Sequence, residues 1–176
     1  MLTASNEEAV LKLFFDGPGE RLHVREVARR TGLSPPGAMK ILKQLKTEDL
    51  VIEEPRNVVV NYRGNYDNPH FIALKRSLNL YSLYTSGLVA TLVRFYDTPE
   101  CVVLFGSYAK GEDTGKSDID IAIVTEIEKT TDFQCYEKKL SRKISIHIIS
   151  NLKNKDRNFA NSLANGIVLH GYLEVT

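Results

Sequence analysis

The sequence predicts an α+β chain built in two parts, and three observations carry that reading. Apolar residues recur at helical spacing through the first fifty positions. Alternating apolar runs follow at residues 51–63. The later half then holds short strand-like runs, CVVLF, IDIAIV and ISIHII, between helical or polar stretches. With 176 residues and 43% hydrophobic content, the chain can bury one large core or two small ones.

Taken in order, Ala9, Val10, Leu13 and Phe14 mark a first short helix that stops at Asp16-Gly17-Pro18-Gly19. In HVREVARRTG, Val24, Val27 and Ala28 share a face and Gly32 supplies the C-cap of a second helix. Ser34 is the N-cap of a third and Pro35 its first residue; Met39, Leu42, Leu45 and Leu50 mark its inward side. LVIEEPRNVVVNYR reads as two strands joined by the polar turn Glu54-Pro55-Arg56-Asn57. A long, mostly helical stretch is predicted from about Phe71 to Tyr96, a connector plus the first helix of the second part, with Tyr81, Tyr84, Leu88, Leu92 and Phe95 as a continuous apolar stripe. Core burial is the first reading of that stripe, with base stacking or a dimer interface as alternatives.

The net charge of +1 hides segregation. Between Arg21 and Lys46 stand seven basic residues and one acid, Glu26, which leaves a local charge of +6. Helices, hairpin and basic face together resemble the winged helix-turn-helix family over residues 5 to 68. The stretch HVREVARRTGLSPPGAMKILKQLKTEDLV looks like its helix-turn-helix core. The resemblance implies a DNA-binding domain at residues 1–70. Its third helix would enter the major groove through Ser34, Lys40, Lys43 and Gln44, and its wing would touch the backbone through Arg56. A winged helix that mediates only protein contacts is the alternative. Double-stranded DNA is the implied partner, and a homodimer matching two half-sites the implied assembly.

CVVLF suits a central buried strand and ends at Gly106-Ser107. In SDIDIAIV, Asp118 and Asp120 alternate with Ile119, Ile121 and Ile123, so both carboxylates project to one face while the isoleucines pack inward. Neighbouring anions repel unless a cation joins them, which points to a divalent ion with oxygen ligands, magnesium or manganese. A merely solvated polar turn is the alternative.

LFGSYAKGEDTGKSDIDIAIV resembles the signature of the polymerase-beta nucleotidyltransferase superfamily, in particular its minimal members, and the likeness extends over about residues 78 to 172. It implies a mixed β-sheet flanked by helices at residues 71–176, following a connector helix. By that likeness Gly106 and Ser107 would hold the phosphates of a nucleoside triphosphate, with ATP the expected one, as substrate or ligand. Lys110 either adds positive charge there or is simply solvated. Asp118 and Asp120 would bind the metal during transfer of a nucleoside monophosphate to a hydroxyl.

RKISIHIIS is a third strand, with Ile144, Ile146 and Ile148 facing the core and Ser145 and His147 opposite. The family pattern places a third acid where this chain has Ser145. Turnover is thereby put in question, and the alternative is a weak or inactive nucleotide-binding regulator, antitoxin-like in kind. His147 is a candidate base in place of the missing acid, weighed against a solvated or hydrogen-bonded histidine. Kinship further implies a helical toxin-type protein partner. FANSLANGIVLHGYLEV gives a last helix and a short strand at Ile167 to Leu169.

No stretch approaches the length of a membrane span, and the first residues carry acids where a secretory signal has bases, so a cytoplasmic location without membrane contact is expected. Cys101 and Cys135 are expected as buried thiols, not as a disulfide or metal ligands.

Overall fold

The computed structural model describes residues 5–56, 59–150 and 156–174. It is α+β, with eight helices and seven strands among the described residues, and forms two compact units, Met1–Lys75 and Arg76–Thr176.

In the first unit, helix α1 (Asn6–Lys12) begins at Ser5, whose side chain accepts a hydrogen bond from the Glu8 N–H. A two-residue strand, β1 (Leu22–His23), precedes α2 (Val24–Thr31), and the His23 ring accepts from the Glu26 N–H as that helix's N-cap. Neither β1, which is too short to show a period, nor the capping role of His23 is visible in the sequence pattern. Helix α3 (Pro35–Thr47) starts at Ser34, whose hydroxyl accepts from the Gly37 N–H at 3.2 Å, a cap that contributes about 1 kcal/mol. Val10, Phe14, Val27, Ala38, Leu42 and Leu45 are fully buried, because the apolar stripes of all three helices turn inward.

Strands β2 (Val51–Arg56) and β3 (Val59–Gly64) form the hairpin, and β1 adds to β3, giving the antiparallel order β1-β3-β2. The turn expected at Glu54–Asn57 is corrected: pairing continues through Glu54↔Asn61 and Pro55↔Val60 to Arg56↔Val59. Pro55 is tolerated because β2 is the outer strand, where a missing N–H costs little. Glu54 is fixed by Arg63 at 2.6 Å and Arg21 at 2.7 Å, and those hydrogen bonds hold its carboxyl below the usual range. Residues 57 and 58 lie outside the described residues.

Helix α4 (Pro69–Ser86) contains the boundary between the units. Within the first unit, fully buried Lys75 places its ammonium 5.2 Å from the centroid of the Tyr66 ring, a cation–π contact. The mostly helical stretch expected from Phe71 to Tyr96 is two helices, α4 ending before Gly87 and α5 (Leu88–Phe95) following it. Gly87 has φ +85°, open to glycine at little cost, and the Ser86 hydroxyl donates to the Leu83 carbonyl while accepting from the Leu88 N–H. The break divides the apolar stripe. Leu88 and Leu92 are fully buried, whereas Tyr81 and Tyr84 remain 40% and 51% exposed, against the core reading.

The second unit carries β4 (Cys101–Phe105), α6 (Gly106–Lys110), β5 (Ile119–Val124), α7 (Gln134–Leu140), β6 (Ile144–Ile149), α8 (Arg157–Ala164) and β7 (Ile167–Gly171). Its sheet has the order β6-β5-β4-β7, with β5 and β6 parallel and the other pairs antiparallel. Both faces are covered. Val102, Leu104, Ile119, Ile121 and Ile123 pack with Leu83, Leu88, Leu92 and Tyr96 on one side. Cys101, Val103, Phe105, Ala122 and Val124 pack with Leu163 and Phe159 of α8 on the other. Burial on both faces explains why β4 reads as an unbroken apolar run.

Cys101 is buried and its thiol is pushed up by that burial, but Cys135 is exposed, contrary to the expectation of two buried thiols. Its position at the start of α7, a helix with no buried residue, accounts for this. Among the described residues no helix is long and apolar enough to cross a membrane.

Candidate active site

Alternation along β5 determines where its carboxylates stand. Ile119, Ile121 and Ile123 are fully buried on the α5 side, so Asp120 belongs to the opposite face, shared with Ala122 and Val124. Asp118 immediately precedes the strand and is exposed, two residues before Asp120. The turn leading into it is held by a hydrogen bond from the Thr114 N–H to the Ser117 hydroxyl at 2.9 Å. From Ile119 onward the pairing with β6 is regular, and Ile119 N–H additionally donates to the Lys143 carbonyl.

The register brings Phe105 of β4 and Ser145 of β6 level with Asp120, and His147 level with Ala122. Ser145 therefore occupies the neighbouring position on the face that carries Asp120, and His147 follows two residues along. The His147 Nε2 is 3.9 Å from Asp120 Oδ1. Its ring packs edge-on against Phe105, with centroids 5.2 Å apart, and tilts against Phe159 at 5.9 Å. Two aromatic neighbours thus fix the imidazole while 43% of its side chain stays accessible.

Burial pushes the Asp120 carboxyl above the ordinary aspartate range; His147 opposes that shift and the Asp118 charge adds to it. Gly106 closes the site from β4. It has φ +74°, and a Cβ placed there would lie 2.5 Å from Asp120 Oδ2 and 3.3 Å from its Cγ. The glycine thus lets the backbone lie directly against the carboxylate. Ser107 follows in the first turn of α6 and is partly buried, while Lys110 at the end of that helix is exposed.

A second constellation, which no sequence motif marks, holds this end of the unit in place. Asp113 is 1% exposed and accepts from Asn79 Nδ2 at 2.9 Å; the same amide donates to the Tyr108 carbonyl at 3.0 Å. Arg142 Nη2 lies 3.8 Å from Asp113 Oδ2. Burial pushes the Tyr108 phenol up to about 12, so it is neutral and serves as packing behind α6. Asn79 stands 29 residues from Tyr108 and 34 from Asp113, a separation at which local spacing carries no signal.

The donor chemistry fits a hard divalent ion. Asp120, against which Gly106 lies, and Asp118 two residues before it offer carboxylate oxygens, and magnesium takes one or two carboxylates together with substrate oxygens. Among the described residues no group of three or more His, Cys, Asp or Glu converges, so a pair is the donor set available.

In the first unit, the basic face is partly neutralised from within. Arg29 and Arg30 both bond Glu26, Arg30 also reaches Glu20, Arg21 is held by Glu54, and Lys46 by Glu53. Among the described residues Arg25, Lys40 and Lys43 have no ion-pair partner, and all but Arg25 lie on α3. The Gln44 amide donates to Glu7 and Glu48, and Ser34 is committed to its cap. The Arg56 backbone ends β2, but its side chain lies outside the described residues.

No curated protein sequence matches the chain. Residues 89–172 match the family described as Polymerase beta, Nucleotidyltransferase, a span that runs from α5 through β7 and includes Gly106, Ser107, Asp118, Asp120 and His147. Over residues 89–172 the second unit is thus similar to the polymerase-beta nucleotidyltransferase family.

Proposed function

We propose that the second unit transfers a nucleoside monophosphate from a nucleoside triphosphate, ATP first, to a hydroxyl acceptor. The observation that carries this reading is the carboxylate pair at the start of β5, with Gly106 backed directly against Asp120. Asp118 and Asp120 would hold magnesium or manganese, whose chemistry is to offset negative charge on the triphosphate oxygens. Gly106 and Ser107 bind and orient the phosphates, and Lys110 lends positive charge at the end of the same helix. In the transfer the acceptor oxygen bonds to the α-phosphorus and the bond to the bridging oxygen breaks. Pyrophosphate leaves, and the hydroxyl proton passes to a base, for which His147 is the accessible candidate. The deciding experiment incubates the protein with magnesium and labelled triphosphates beside Asp118→Asn and Asp120→Asn.

A specific observation favours a second reading. Ser145 stands where the family pattern has an acid, level with Asp120, and would leave a domain that binds nucleotide without turning it over. Tight, saturable nucleotide binding with no label transferred is its signature.

We further propose that the first unit is a winged helix that binds double-stranded DNA, as a homodimer, with α3 in the major groove. Lys40 and Lys43, exposed and without ion-pair partners among the described residues, support this. Removing a lysine from a DNA phosphate reduces the salt slope by about 1. Lys40→Ala/Lys43→Ala is therefore expected to weaken DNA binding and flatten its salt dependence by about two units per bound protomer, read by gel shift across a salt series. An unchanged slope would remove these lysines from the interface.

Acid is expected to weaken the metal site early. A divalent ion binds the carboxylate, not the acid, and Asp120 holds its proton to higher pH than an ordinary aspartate. Manganese affinity, followed by electron paramagnetic resonance, should begin to fall at a higher pH than the usual aspartate range would give. In the metal-free protein the same shift acts oppositely on folding. The native state binds the proton more tightly, so its contribution to stability is present at low pH and lost as pH rises through the raised value. Affinity that falls only within the usual aspartate range contradicts both statements.

A further inference from the structure

Beside Asp118 lies a groove of about 630 Å³, walled by the turn before β5 and by α7 with the segment that follows it. Asp118 lines it, but Gly106, Ser107, Asp120 and His147 do not. The groove is therefore a neighbour of the proposed triphosphate cradle and touches the carboxylate pair at one member. Its charge is one-sided. Lys116, Lys138, Arg142 and Lys143 line it against Asp118 and Glu137. Glu137 is engaged elsewhere, since its Oε1 accepts from the Ile144 N–H at 3.0 Å and ties α7 to the start of β6.

The four cations differ in kind. Arg142, 14% exposed, is anchored from behind by buried Asp113 and by a bond from its Nη1 to the Ser141 carbonyl. Lys116, Lys138 and Lys143 are exposed and, among the described residues, have no ion-pair partner. One guanidinium held in place and three ammonium groups around the rim make a concavity of positive potential. Phosphate oxygens suit such a lining, because a guanidinium held in place adds fixed positive charge and lysines offer adaptable point charges.

We propose that this groove binds a phosphate group of the acceptor substrate, delivering its hydroxyl beside Asp118. The inference rests on the transfer reading above and adds to it the chemical class of the second substrate, a phosphate ester. A phosphodiester strand and a small phosphorylated molecule share that chemistry.

The test uses the full, isotope-labelled chain, because residue-resolved amide signals separate this groove from any DNA contact made by the first unit. Three probes are added in turn: a 5′-phosphorylated thymidine tetranucleotide, inorganic phosphate, and a non-hydrolysable ATP analogue with magnesium. The tetranucleotide is expected to move the signals of Lys116, Lys138 and Lys143, with a salt slope of about −2 for three phosphate contacts on a single strand. Lys116→Gln/Lys138→Gln/Lys143→Gln should weaken that binding at least about tenfold. The analogue should still move Gly106 and Ser107 in the variant, which also verifies its fold. Groove shifts from inorganic phosphate at equal affinity assign a small phosphorylated acceptor; markedly tighter tetranucleotide binding assigns a strand.

Absence of groove shifts with both phosphate probes overturns the proposal. So does loss of analogue binding in the variant, which would make the groove the triphosphate's own. The transfer reading fails on a different signal, unmoved Gly106 and Ser107 with the analogue, and leaves groove shifts as they are.

Discussion

Asp120→Asn is expected to reduce nucleotidyl transfer at least about 10²-fold while leaving the fold as stable as before or slightly more so. The side chains have the same shape, so the packing against Phe105 and His147 survives. What changes is charge. Burial disfavours the ionised Asp120 carboxyl, and the Asp118 charge disfavours it further, so a neutral amide relieves a cost that the native protein carries at neutral pH. The His147 ring at 3.9 Å offsets only part of it. Activity and stability should therefore move in opposite directions, as is common where a site holds charge against its surroundings. Label transfer and a thermal melt on the same preparation read the two. Transfer that survives in both Asp120→Asn and Asp118→Asn removes the carboxylate pair from the reaction, absence of transfer by the native chain sinks the enzymatic reading, and a large drop in melting temperature means that Asp120 is a structural residue. His147→Gln is the companion variant. If the imidazole accepts the hydroxyl proton, kcat falls and the acidic limb of its pH profile disappears, whereas an imidazole that only neighbours Asp120 leaves that limb in place.

The parts of this architecture legible in the sequence are those fixed by local period. Cys101–Phe105 is a strand buried on both faces and reads as one. The alternation of Asp120 with the isoleucines of β5 gives the face of that carboxylate, and the pattern of ISIHII sets Ser145 and His147 on it as well. Caps at Ser34 and Gly32 are equally local. Other features depend on partners distant in the chain. Pro55 reads as a turn until the order β1-β3-β2 shows it on the outer strand. Gly87 lies inside a stripe of helical period, and the stripe conceals that the backbone leaves the helix there, which is why Tyr81 and Tyr84 look like core residues and are not. The hydrogen-bonded set of Asn79, Tyr108, Asp113 and Arg142 joins α4, α6 and the segment after α7. Its polar members look like ordinary loop residues until the fold brings them together. Similarly, the +6 segment overstates the basic face, because Glu20, Glu53 and Glu54 come from outside it to pair with its arginines and Lys46.

Gly106→Ala is expected to lower stability by about 1–3 kcal/mol and to cost transfer roughly 10²-fold, although it removes no chemical group. Two effects combine. A φ of +74° strains any residue with a Cβ, and the added methyl would meet Asp120 Oδ2 at 2.5 Å. The carboxylate is the part able to yield, so strain at the first residue of α6 becomes displacement of a proposed metal ligand on β5. A double-mutant cycle separates the contributions. In an Asp120→Ala background the clash has no partner, and Gly106→Ala should then cost only the backbone part, measured by denaturant unfolding. If the two substitutions are simply additive in stability, the close approach of Gly106 to Asp120 plays no part, and the glycine answers only to its turn. Coupling between them, together with retained binding of the ATP analogue in Gly106→Ala at reduced metal affinity, would tie the first residue after β4 to the carboxylate it faces. The glycine of the Gly-Ser pair would then act on the metal site by what it leaves out.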